Sequence, residues 1–109
     1  MFIDFPQALE ARLSPILKKS FRIYGRYPIK IRLSNDLGSD AGIAILDKNT
    51  IVLNYELLFR NPLSFEEVFT HEISHIIAHQ KFKSKSHCNK WKNITCKLGY
   101  PGKIFHTMK

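Results

Sequence analysis

The chain has 109 residues, 44% hydrophobic and 24% charged, which is the size and make-up of one globular domain and excludes a disordered or fibrous chain. Seventeen Lys and Arg against nine Asp and Glu give a net charge of +8, a balance that points to an anionic partner. No apolar stretch reaches the roughly 18 residues of a membrane span, the start Met1-Phe2-Ile3-Asp4 lacks the basic and apolar regions of a signal peptide, and two cysteines, Cys88 and Cys96, are too few for a disulfide framework.

Leu9, Leu13, Ile16, Leu17, Phe21 and Tyr24 recur at helical spacing and predict an amphipathic first helix. Pro15 falls within it, so either the helix kinks there or Ser14 caps a second helix with Pro15 in its first turn. Residues 29–34 alternate Ile29, Ile31, Leu33 with Lys30, Arg32, Ser34 and read as a half-buried strand. A polar loop over 35–40 follows. Gly42–Leu46 and Thr50–Asn54, joined by Asp47-Lys48-Asn49, read as a hairpin.

Asn61-Pro62 breaks the chain, and Ser64 with Glu67 matches a capping box opening a helix that runs to about Gln80. Its apolar positions are Phe65, Val68, Phe69, Ile73, Ile76 and Ile77. Lys81–Ser86 reads as a basic loop. A last helix is expected from His87 to Leu98, closed by Gly99. Helix, three strands, helix, helix is an α+β order, with helices on one face of a small three-stranded sheet. One domain over 1–109 is expected, cytoplasmic, reduced and monomeric, with no membrane partner and no zinc ribbon after it.

His71-Glu72-Ile73-Ser74-His75 is an HExxH motif on the best-defined helix. Residues four apart lie one turn apart on nearly one face, so both imidazoles can reach one ion. Glu72, one position on, can take a proton from a water without ligating the metal. A catalytic zinc needs a third protein ligand. From Ile76 to Lys109 there is no Asp or Glu, and Ala78 and Lys81 stand where a metzincin carries Gly and His. His79, His87 and His106 remain. His79 lies a helical rise of about 12 Å from His71, too far to share its ion. His87, at the start of the next helix, is the natural third ligand. His106 in the tail and the Cys88 thiolate stay open as alternatives.

Several segments resemble the SprT-like family: Ile51-Val52-Leu53-Asn54, His71-Glu72-Ile73-Ser74-His75, His87-Cys88-Asn89-Lys90-Trp91 and Lys97-Leu98-Gly99-Tyr100-Pro101. The spacing of HExxH to a following H-x-x-x-W is the specific part. The resemblance spans about residues 8–101. It implies a zincin-like minimal metallopeptidase, one Zn2+ per chain on His71, His75 and His87, Glu72 as catalytic acid–base, and a protein substrate. Spartan-type members cleave proteins crosslinked to DNA, so DNA-bound proteins are an implied substrate class. Cys88 departs from the family's usual Gly, which puts the turn into the last helix in doubt, and DNA targeting carried by additional regions of the family is not implied for this chain.

Trp91, one turn past His87, is expected to pack behind the site. Tyr100 and His106 are candidates for stabilising an oxyanion, and Asn54 reads as a strand end. Residues 1–70 hold nine basic and eight acidic residues, whereas 71–109 hold eight lysines and only Glu72. Lys81, Lys83 and Lys85, with Lys90 and Lys92 on the last helix, therefore read as a nucleic-acid surface. Phe82 and Trp91 could stack on unpaired bases, which would favour single-stranded DNA. The competing function is a basic nucleic-acid-binding or regulatory module around a vestigial zinc site. The presence of Glu72 speaks against it, because a purely structural site does not need that carboxylate.

Overall fold

The computed structural model describes residues 2–3, 5–83 and 89–99. In chain order these form α1 (Gln7–Tyr24), β1 (Lys30–Ser34), β2 (Gly42–Ile45), β3 (Thr50–Asn54), α2 (Tyr55–Arg60), α3 (Phe65–Phe82) and α4 (Asn89–Lys97), with short 3-10 turns at Leu46–Lys48 and Pro62–Ser64. The α+β class expected from the sequence holds. No described helix is long and apolar enough to cross a membrane.

The sheet is mixed, in the order β1-β3-β2. β2 and β3 form the expected antiparallel hairpin, with Ile43 opposite Val52, while β1 runs parallel to β3, with Ile31 opposite Ile51. The hairpin turn works because Asn49 adopts the left-handed conformation (φ 49°), which Asn tolerates better than most residues. Gln80 at the far end of α3 donates to the Asn49 side chain at 2.8 Å, tying helix to turn.

One face of the sheet carries Ile31, Ile51 and Leu53, all fully buried, against Leu13 of α1 and Val68, Phe69, Ile73, Ile76 and Ile77 of α3. α3 packs on β2 and β3 and is flanked by α1 and α4. It is buried on nearly every side, including the hydroxyls of Thr70 and Ser74. Those hydroxyls are tolerated because each donates to a carbonyl one turn back, Thr70 to Glu66 at 2.8 Å and Ser74 to Thr70 at 2.6 Å.

Four sequence expectations need correction or completion. α1 is one helix through Pro15, without a fresh start at Ser14. Ser64 does not cap α3 through its side chain: it sits in a helical conformation at the end of the Pro62–Ser64 turn, which feeds directly into the helix. There is therefore no capping box with Glu67. α2 was not expected at all. Finally, Lys81 and Phe82 are the last helical turn of α3 rather than a loop, and Lys83 ends the helix with a positive φ of 57°. Gly99, with φ 95°, follows the last helix as expected.

Candidate metal centre

Because α3 is a continuous helix, His71 and His75 lie one turn apart on the same side, and their rings meet edge to face with centroids 5.0 Å apart. Glu72 lies beside them, its Oε2 3.9 Å from His71 Nε2. One potential ligand atom from each of the three residues falls within 4.8 Å of the others, the only such group of His, Cys, Asp and Glu among the described residues. The three line an open cleft of about 340 Å³ together with Gly42, Ile43, Ala44 and Leu46. Two imidazoles with a carboxylate beside them, around a polar opening, form a group that could hold a metal ion.

β2 forms the other wall. Gly42 approaches α3 so closely that an added Cβ would lie 3.3 Å from Glu72 Cγ and 3.2 Å from both Val68 and Leu53. The absence of a side chain there lets the edge strand lie against Glu72. The loop leading into β2 is pinned by Asn54, which is 3% exposed. Its amide donates to the carbonyls of Gly38 and Asp40 at 3.1 and 2.9 Å, and its oxygen accepts from Leu57 N at 3.0 Å. One side chain thus caps α2 and fixes the approach to the cleft. Burial, and secondarily the nearby Asp40 carboxylate, push Glu72 up to about 8. In the metal-free protein this group therefore holds a proton well above the usual carboxylate range.

Trp91 closes the back of the site. It is fully buried, its indole N–H donates to the His71 carbonyl at 3.1 Å, and its rings lie 5.0 Å from His71 and 5.6 Å from His75. The expected packing role holds. Stacking of Trp91 on unpaired bases does not, since none of its surface is accessible. Phe82, 39% exposed, is accessible, and Lys90 Nζ lies 5.1 Å from its ring centroid.

His71, Glu72 and His75 are thus brought together as expected. His87, Cys88 and Lys85 lie outside the described residues, as do Tyr100 and His106. His79 is not part of the cluster, and its Nδ1 is buried with no hydrogen-bond partner among the described residues. Lys81, Lys83, Lys90 and Lys92 are exposed around the end of α3 and the start of α4. The sequence reading of Asn54 as a strand end holds, but its cap of α2 and its hold on the loop, and the roles of Gly42 and Asp40, were missed. Asn54 carried a signal, since Asn after a strand and before Glu56-Leu57-Leu58 is a good helix cap. The other two depend on a loop-to-helix approach that no local pattern encodes.

Residues 9–108 match the family model described as the SprT-like family. The protein SprT of Actinobacillus succinogenes is 32% identical over 109 residues, covering 96% of this chain and 64% of the relative. SprT of Pseudomonas paraeruginosa is 32% identical over 110 residues, covering 94% and 65%. SprT of Glaesserella parasuis is 36% identical over 72 residues, covering 63% and 46%. The chain therefore spans less than two thirds of the length of these curated relatives. No solved structure matches the chain.

Proposed function

The chain belongs to the SprT-like family, and from that premise we propose that it is a zinc-dependent endopeptidase of zincin type. The observation that carries this reading is the His71–Glu72–His75 group, two of its members buried and His75 half-buried, lining a cleft walled by an edge strand. His71 and His75 would hold the ion, with His87 as the third ligand. When bound, zinc would supply Lewis acidity toward a water and the scissile carbonyl. With a cation bound beside it, Glu72 would give up the proton it holds in the metal-free protein, and as a carboxylate it takes a proton from the attacking water and delivers it to the departing amine nitrogen. Its burial beside Gly42 limits its freedom and keeps its carboxyl aimed at the opening.

β2 is the terminal strand of the sheet, so its outer backbone N–H and C=O groups are available to an extended polypeptide. A substrate pairing there would run past Glu72. Proteins bound or crosslinked to DNA are the proposed substrates, held near the cleft by the cationic surface of Lys81, Lys83, Lys90 and Lys92.

Purified protein loaded with zinc should cleave an unstructured protein such as casein, and a chelator should abolish the activity. Glu72→Gln should keep the fold and the metal while losing at least about a hundredfold in rate. Equal cleavage by this variant and the parent protein would end the proposal.

A further inference from the structure

The face of the sheet turned away from α3 has no role in the reading above. The strand registers place two rows of side chains across it: Lys30, Thr50 and Ile45 in one, Arg32, Val52 and Ile43 in the other. Each row runs from a cation on β1 to an isoleucine on β2. Lys48, in the turn after β2, adds a third cation beside Lys30, whose backbone N–H donates to Asn49 O at 2.9 Å. The face holds a shallow depression of about 580 Å³, lined among the described residues only by the strands and Lys48. Lys30, Arg32 and Lys48 are exposed, and none makes an ion pair with a described carboxylate. Ile43, Ile45 and Val52 are half-buried.

We infer that this open face is a docking surface for an acidic, amphipathic polypeptide segment, whose carboxylates meet Lys30, Arg32 and Lys48 while its apolar side chains cover Ile45 and Val52. The charge selects an anion, and the aliphatic half selects its class. A nucleic-acid strand would use the cations, but the depression has no aromatic ring on which bases could stack, and its aliphatic rows would stay uncovered. A polypeptide alternating acidic and apolar residues satisfies both halves.

The position gives the surface a consequence, which rests on the peptidase reading. Ala44 and Leu46 line the metal cleft and Ile45 lines this depression, while Ile43, in the outer row by register, borders the cleft at the edge of the sheet. The two sites are thus separated by the thickness of one edge strand. A protein gripped on the outer face can pass a neighbouring segment around β2 to Glu72, so the surface acts as an exosite that selects acidic substrates.

Binding is tested on the full chain carrying Glu72→Gln, with a fluorescent peptide alternating glutamate and leucine, and with a matched lysine–leucine peptide and a labelled single-stranded oligonucleotide as comparisons. The glutamate–leucine peptide should bind in a salt-sensitive way and the lysine–leucine peptide should not. Lys30→Glu with Arg32→Glu should weaken binding by about tenfold, the loss expected when two exposed ion pairs become repulsions. Ile45→Thr with Val52→Thr, which keep β-propensity, should weaken it as well, with thermal melts checking that each variant folds. Undiminished peptide binding in the double charge variant would overturn the inference. So would an oligonucleotide that binds, is lost in that variant and is indifferent to the threonine changes, since the face would then belong to nucleic acid. With Glu72 restored, fusing the acidic segment to a cleavable sequence should lower KM. If binding follows the expected pattern but no sequence is cleaved, the exosite stands and the peptidase reading fails.

Discussion

At the scale of the residue, Glu72 is a buried carboxyl group whose proton affinity the fold raises. Burial, with the Asp40 carboxylate nearby, pushes its pKa from the ordinary 4.5 up to about 8 in the metal-free fold, so the folded protein holds a proton there that the unfolded chain releases from about pH 4.5 upward. Folding stability of the metal-free protein should therefore be highest, as far as this group is concerned, below about pH 4.5, and fall as pH rises toward 8. Glu72→Gln should flatten that slope and raise the melting temperature near pH 8, measured by thermal denaturation in chelator. A steeper slope in the variant would mean that the carboxylate is not buried as described. Trp91 offers a second residue-scale test. Trp91→Phe keeps an aromatic ring beside His71 and His75 but loses the bond to the His71 carbonyl, a cost of about 1 kcal/mol. Trp91→Ala opens a cavity at a fully buried position and should cost about 3–5 kcal/mol.

The secondary elements were legible where a local period governed them and obscure where tertiary contacts did. The alternation of Ile29–Ser34 declares a strand that buries one side and exposes the other, while the hairpin and the HExxH helix declare themselves by apolar runs and an apolar stripe, although α3 is buried on nearly every side and β3 at four of its five residues. The parallel pairing of β1 with β3 could not be read, since it is decided by a non-local pairing. α2 is six residues long, too short for a periodic signal, and the capping-box pattern at Ser64 was misleading because Pro62 starts a 3-10 turn that delivers the chain to α3 already wound. In the candidate site, the HExxH spacing showed the His71–Glu72–His75 group, whereas Gly42 and Asp40 reach Glu72 through the loop that Asn54 holds. Two contrasting substitutions follow. Ser64→Ala should change stability by no more than about 0.5 kcal/mol, as no cap bond is lost, and a loss of about 1 kcal/mol in denaturant melts would reinstate the capping box. Asn54→Ala removes two donated bonds and one accepted bond from a buried position and should cost about 2–4 kcal/mol. Asn54→Asp should recover the part due to the cap of α2, while leaving the carbonyls of Gly38 and Asp40 without their donor.

At the scale of the whole molecule, two of the cationic regions among the described residues make separable demands. The outer sheet face combines Lys30, Arg32 and Lys48 with aliphatic side chains. The end of α3 and the start of α4 combine Lys81, Lys83, Lys90 and Lys92 with the accessible ring of Phe82. Only the second has an aromatic surface on which a base can stack, so it is the region expected to hold single-stranded DNA. Phosphate contacts release counterions, and affinity for a single strand should fall with salt at a logarithmic slope of about −0.7 per contact. Replacing Lys81, Lys83 and Lys90 by Ser should flatten the slope by about 2 and weaken binding at low salt, read by anisotropy of a labelled oligonucleotide over a salt series. Phe82→Ala should weaken binding while leaving the slope nearly unchanged, because a stacking contact involves no counterion. A slope that is unaltered by loss of the three lysines would move the anion to another part of the surface, and an absence of binding at low salt would leave a peptidase without a nucleic-acid partner.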